Sequence, residues 1–282
     1  MAGKGSLRSP WRSPFGVLAY GVVLVYAALL IIPVYFVVVS AFKDNQAIFG
    51  SPLALPASLS LTNFARAQVG AHLGQALLNS VTLTVSAELL TLALAIPASY
   101  ALARAEGRVA DALDRLFSLG FLVPAFAVLV PTLLLAVAAG LFRTTFFLVL
   151  FYPATALPLS IVLLTQFMRS IPKELAESAT VDGASELAIM RRIWIPLSMP
   201  GVVAVVILNF LNFWNEYIFA LVILGPESRT VQVAVPTLRA GLVVEYGLLS
   251  AGILISVLPV YLVYVFLQRQ MQEALTAGAV KG

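Results

Sequence analysis

The 282-residue chain has no cysteine, so neither a disulfide framework nor a thiolate metal site is open to it. It has a single histidine, His72. One histidine cannot build the His-rich metal clusters of catalytic zinc sites. No G-x-x-x-x-G-K-[ST] run occurs, so the chain lacks a P-loop of its own. No G-x-S-x-G elbow occurs either, and His72 has no serine partner within a span, which weighs against an intramembrane hydrolase. His72 reads as a surface or loop-packing residue. Charge is scarce: 11% of residues are charged, against about 25% in soluble domains. The net charge of +4 is modest and fits loops on one side of a membrane better than nucleic-acid binding. No internal repeat and no low-complexity tract is visible.

Apolar sequence fills the space that charge leaves. The chain is 61% hydrophobic, with a mean hydropathy of +0.99. So little charge could not cover so much apolar surface in water, and the composition reads as an all-α integral membrane protein. A helix needs about 20 apolar residues to cross a bilayer. Six segments reach that length, at about 17–41, 78–103, 116–139, 145–168, 200–224 and 247–267. The first is too long for the core of a signal peptide and is expected to stay as a membrane helix. Pro33, Pro97, Pro124, Pro131, Pro153, Pro158 and Pro259 fall within these segments, where membrane helices tolerate them.

Orientation follows from Lys and Arg. With the N-terminus inside, only Lys43, Arg66, Arg143, Arg229 and Arg239 of the 17 lie outside, which leaves twelve inside. Both termini are then cytoplasmic. The organisation expected is a segment 1–16, a membrane domain 17–267, and a tail 268–282. The outer loop 43–77 reads as irregular chain with one short helix near Leu61 to Ala67.

One cytoplasmic stretch stands out between the fourth and fifth spans. ELAESATVDGASELAIMRRIWIPLS, residues 174–198, is polar where its flanks are apolar. Its signals predict two short helices. Ser170 is placed to cap the first, with Pro172 in the first turn. Gly183 is placed to end it in a left-handed conformation. Ser185 is placed to cap the second, with Glu186 on the helix dipole and Pro196 as the limit. Small residues at Ala176, Ser178, Ala179, Gly183 and Ala184 permit close approach of another surface. An ordinary solvated loop with amphipathic helices is the alternative.

The order Glu177-Ser178-Ala179-Thr180-Val181-Asp182-Gly183-Ala184, followed by Ile195-Pro196, resembles the EAA loop of ABC importer permeases. The tail LTAGAVKG (275–282), the segments NFWNEYIFAL (212–221) and LLSAGILISVLPV (248–260), and SYALAR at the end of the second span resemble the MalG-like, maltose-type subfamily. The sequence departs from the motif at Ser178, usually Ala, and at Met190, often aromatic. The resemblance implies a type I ABC importer permease fold of six transmembrane helices. It implies that loop 170–200 is a coupling loop docking on a cytoplasmic ATPase through Glu177, Ser178, Ala179, Asp182, Gly183, Ala184, Ile195 and Pro196. It also implies that Thr276, Ala277, Gly278 and Lys281 reach the ATPase interface. The implied partners are a second homologous permease, two ATPase subunits, an extracytoplasmic solute-binding protein and membrane lipid, with no nucleic acid. The chain itself would hold no cofactor; ATP and Mg would sit in the ATPase subunits. The implied site is the prokaryotic inner membrane. The subunit would not be an enzyme but would couple ATP hydrolysis to import of a mono- or oligosaccharide by alternating access.

The fifth span carries Asn209, Asn212, Asn215 and Glu216, which share an arc of about 120° on a helix. They are candidates for the translocation pathway, with Phe213, Trp214 and Tyr217 as sugar-stacking aromatics. The alternative is that they bond neighbouring helices. For Asn79, Glu88 and Gln166 helix packing is the expectation. Two other readings stay open: the same machinery carrying a polyol or glycerol phosphate, and a stand-alone secondary carrier. The missing repeat counts against the carrier.

Overall fold

The computed structural model describes residues 14–239 and 244–279. Every regular element among them is helical, apart from one isolated bridge between Arg143 and Leu224. By backbone contacts the chain divides into two units. One comprises residues 14–70 with 238–239 and 244–255; the other comprises 71–237 with 256–279.

The first unit begins with α1 (Pro14–Ser40), which keeps Pro33 inside it. From Val17 to Ser40 this helix is almost wholly exposed. It ends in a turn whose Lys43 side chain is buried, its Nζ donating to the Ser51 carbonyl at 3.0 Å. Asp44 caps α2 (Asn45–Gly50), its Oδ1 accepting from Ala47 N at 2.8 Å. α3 (Thr62–Ala71) follows, close to the short helix expected there. The segment between the first two spans is thus more structured than its composition indicated. Its ties are long-range. Asn63 Nδ2 donates to the carbonyls of Ala41 (3.0 Å) and Lys43 (2.9 Å). Asn45 Nδ2 donates to Val244 O at 2.7 Å, and its Oδ1 accepts from Tyr246 N at 2.9 Å. Arg66 forks onto Glu245 at 2.5 and 2.6 Å. A Cβ at Gly247 would lie 2.1 Å from Lys43 O, so only glycine lets these backbones meet.

The second unit is built on α4 (Leu73–Arg104) and α7 (Thr145–Arg169), with α11 (Met199–Asn215) packed on both. Small residues line these contacts: Ala87, Ala95, Ser99, Ala156 and Ser160 are buried. Ser99 Oγ donates to Ile161 O at 3.2 Å across the α4–α7 contact. Small interfacial residues are how membrane helices approach closely without a hydrophobic driving force between them. Gly201 shows the limit, since a Cβ there would lie 2.5 Å from the Phe167 ring. The remaining long helix is α14 (Tyr246–Ala279), whose first turns belong to the first unit.

Two expected spans differ from single helices. The third runs as α5 (Arg108–Leu119), short 3₁₀ turns at Gly120–Leu122 and Ala125–Val128, then α6 (Leu129–Ala138). The helix is interrupted at Pro124, which has no backbone donor and whose preceding residue, Val123, is extended (ψ 110°). The fifth ends at Asn215 and resumes as α12 (Ile218–Ile223). Among the described residues, four helices are individually long and apolar enough to cross a membrane. The number rises to as many as six if the bent pairs 108–122 with 126–138 and Glu186–Leu197 with Met199–Asn215 each count as one span.

Candidate functional site

The polar stretch between α7 and α11 folds as a short helical hairpin. α8 spans Glu174–Val181, with Lys173 rather than Ser170 at its cap. Ser170 instead closes α7, its hydroxyl donating to Phe167 O at 2.7 Å, so it is spent on the preceding helix. Lys173 pairs with Glu106 and holds that carboxyl below the usual carboxylate range. Gly183 ends α8 at φ +80°, as expected. Ala184 N donates to Ala179 O at 2.9 Å and Gly183 N to Thr180 O at 3.0 Å, the two bonds of a Schellman cap.

Ser185 caps α9 (Glu186–Ile189), accepting from Ala188 N at 3.3 Å. The helical path then continues through Pro196 instead of stopping at it. Met190–Trp194 form a π-helical turn leading into α10 (Ile195–Leu197). Ile195 N reaches back to Met190 O, five residues away. The wider turn accommodates a proline that has no N–H and whose ring crowds the carbonyl four residues earlier. The break falls at Ser198, where the path bends by 75° into α11.

The hairpin sits on a core of its own. Trp194 and Ile189 are 1% exposed and pack with Tyr100, Ala103, Met168, Ile171 and Ala176. The Trp194 ring meets Tyr100 edge to face at 5.4 Å. Tyr100 OH donates to Glu186 Oε2 at 2.6 Å, and Arg104 pairs with the same carboxylate. The side of the hairpin away from this core is open. A groove of about 460 Å³ is lined by Leu175, Ser178, Ala179, Asp182, Arg192, Ile193, Pro196 and Leu197. Of the motif residues, Ser178, Ala179, Asp182 and Pro196 come together there. Glu177 and Gly183 are exposed outside the lining. Ala184 packs on the hairpin core, and Ile195 is half-buried.

The polar residues of the fifth span differ in burial and in what they bond. Asn209 is 2% exposed and donates to Ser160 Oγ on α7 at 3.1 Å. Asn212 and Asn215 are exposed, and Asn215 Nδ2 turns back to Leu211 O at 2.8 Å. Glu216 lies beyond the helix end in an extended conformation. Its carboxylate accepts from Phe219 N (2.8 Å), Ala220 N (2.9 Å) and Tyr152 OH (2.7 Å). A glutamate that caps the next helix ends the preceding one, which the 100° arithmetic could not register. Phe213 and Trp214 are buried, Phe213 stacked on Tyr152 at 5.4 Å and Trp214 donating to Ser256 O at 3.2 Å, so neither is an open sugar platform here. Tyr217 is half-buried. Tyr152 and Tyr100, which sequence reasoning passed over, organise these two regions. Their only signal was a hydroxyl inside an apolar run, which needs a partner when buried.

Asn79 Nδ2 donates to the carbonyls of Glu227 and Arg229, both at 3.0 Å, tying α4 to the segment that follows α12. Thr276, Ala277 and Gly278 continue α14, and Lys281 lies outside the described residues. His72 is exposed at φ 48°, just before α4.

Residues 95–276 match the family described as binding-protein-dependent transport system inner membrane component. The chain belongs to this family. It is a permease subunit of the ABC type, a multi-pass component of the inner membrane, and a transport subunit and not an enzyme. Its system works with a binding protein. The chain is 31% identical to the diacetylchitobiose uptake system permease protein NgcG of Streptomyces coelicolor, over 95% of this chain and 89% of that one. It is 31% identical to the melibiose/raffinose/stachyose import permease protein MelC of Bacillus subtilis, over 89% and 91%. Its fold matches a chain of a bacterial ABC transporter involved in import of the acidic polysaccharide alginate, with a TM-score of 0.81 at 21% identity, covering 93% of this chain and all of that one.

Proposed function

We propose that this permease is one of two related membrane subunits of an ATP-driven importer for a mono- or oligosaccharide. The observation that carries the reading is the hairpin 170–198. It is anchored underneath by Trp194 and the Tyr100–Glu186–Arg104 cluster, and its exposed side is grooved. A rigid base with an open outer side suits an element that receives a push from a docked ATPase and passes it to α4, α7 and α11. Two such ATPase subunits would bind ATP and Mg. The chain would cross the membrane six times with both termini cytoplasmic, the bent third and fifth segments each counting as one span.

Sugar as cargo is supported by the carbohydrate names of the relatives above. It is also supported by the spans themselves. Within α4, α7 and α11, Arg104 and Arg169 at the cytoplasmic ends are the only Lys or Arg. A phosphorylated cargo would favour cations at depth, which sets glycerol phosphate behind a neutral sugar or polyol. Asn212 and Asn215, exposed at the end of α11, are the pathway candidates that keep free faces.

The test is to tag the chain, extract it gently from its native membrane and identify co-purifying proteins by mass spectrometry. An ATPase and a second permease are expected. The complex should then hydrolyse ATP faster when its binding protein carries the right sugar. Recovery of the chain alone, still transporting after reconstitution, would replace this reading with a secondary carrier.

A further inference from the structure

Glu88 lies halfway along α4 and is 8% exposed. Both of its carboxyl oxygens are shut off from solvent, and neither has a hydrogen-bond partner among the described residues. The Asn209 amide of α11 is within reach of this carboxyl, short of a hydrogen bond of ordinary length and angle. One of that amide's two N–H groups is given to Ser160 on α7, at 3.1 Å. One turn along α4, the Thr91 hydroxyl is turned back onto Ala87 O at 2.8 Å. Within α4, α7 and α11 the Lys and Arg residues are Arg104 and Arg169, which stand at the far ends of α4 and α7. Two further buried hydroxyls without partners belong to the same three-helix assembly: Thr165 on α7 and Ser198 where α11 begins.

An unmet carboxyl in an apolar interior is costly, and more so than an unmet hydroxyl. A helix contact that stays shut throughout the working cycle would hold apolar or paired groups at this place. Ionisable residues inside membrane bundles usually face a cavity or a partner in the state where they act. We infer that Glu88 is a built-in bias against the packing of α4, α7 and α11 described here. Its carboxyl gains water or a polar partner when α11 shifts, so it keeps the bundle able to leave this arrangement. The residue acts on the equilibrium between two conformations, by the difference in its hydrogen bonding between them. This rests on the transport reading given above.

The test compares Glu88→Met and Glu88→Gln in the complete complex, reconstituted in liposomes with its binding protein and supplied with Mg-ATP. Met fills a similar volume without polar atoms, whereas Gln keeps the need for partners. E88M should raise the thermal unfolding midpoint of the complex and slow ATP hydrolysis about tenfold, the scale of one unmet polar group acting on an equilibrium. E88Q should remain within about twofold of the wild type on the same scale. A lower unfolding midpoint for E88M would overturn the inference, because it would mean that the carboxyl is satisfied in this packing. So would a raised midpoint with unchanged hydrolysis, which is a purely structural effect. Equal defects in both variants would overturn it as well. A wild-type complex that hydrolyses no ATP would sink the transport reading and this inference with it.

Discussion

Substitution of Gly183 separates a backbone requirement from a space requirement. The residue sits at φ +80°, and no atom outside its chain neighbours lies within 4 Å of where a Cβ would be. Size alone should therefore not matter. The left-handed conformation should, at about 1–2 kcal/mol for an ordinary L-residue and more for a β-branched one. Asparagine adopts this region with much less strain. A cost of that order shifts a two-state equilibrium roughly 5- to 30-fold. The state at risk is the Schellman cap, whose two bonds fix the angle between α8 and α9. Trp194 and Ile189 stay buried whatever happens at the turn, so the chain should still fold and assemble. Gly183→Val should thus leave complex yield intact while sugar-stimulated ATP hydrolysis and uptake fall several-fold. Gly183→Ala should lie between, and Gly183→Asn should stay close to wild type. The assay is coupled uptake and hydrolysis in proteoliposomes, with maximal ATPase rate in detergent as the control. A ranking by side-chain volume, with Asn as harmful as Val, would refute the reasoning. So would a Val variant with full coupled uptake.

Tyr152→Phe removes one of three donors to the Glu216 carboxylate while keeping the ring stacked on Phe213. It should cost roughly 1–3 kcal/mol of stability, read as a lower unfolding midpoint of the purified subunit complex. Gly201→Ala places a methyl group 2.5 Å from the Phe167 ring and should cost about 1–3 kcal/mol by overpacking, relieved in part by Phe167→Leu. The Arg66 guanidinium, through its hydrogen bonds and then its charge, holds the Glu245 carboxyl below the usual range. This contribution is present above the ordinary glutamate value of about 4.3 and is lost as pH falls through the lowered folded value. Amide hydrogen exchange at residues 44–67 should accelerate there in the wild type. In Arg66→Ala it should be fast already at neutral pH, and identical profiles would discount the pair.

What the sequence made legible was what neighbours in sequence decide. Gly183, Ser185 and the short helix α3 are set by local capping and turn chemistry, and the structure places them as read. The misreadings share a different cause, in that one residue was claimed by two elements. Ser170 had a helix on either side and went to α7. Pro196 has the sequence signature of a stop, yet a π turn upstream carries the path through it. Glu216 falls on a helix face by spacing, while its carboxylate is held by the amides of Phe219 and Ala220 and by a tyrosine from another helix. Period counting assumes an uninterrupted helix, and in the fifth span the polar Glu216 satisfies backbone N–H groups that the break exposes. The tying of Asn45, Asn63 and Arg66 to 41–43 and 244–246 was illegible for a simpler reason. Pairings of Asn45 and Arg66 to chain 179 to 201 residues away leave no trace in composition or spacing. The pathway candidates lie between these cases. Burial divided the four polar residues of one predicted face into Asn209, bonded to another helix, Glu216, spent on a cap, and Asn212 and Asn215, still exposed. Only the last two keep the freedom that contact with a passing hydroxyl requires, so mutagenesis aimed at cargo selectivity should begin with them.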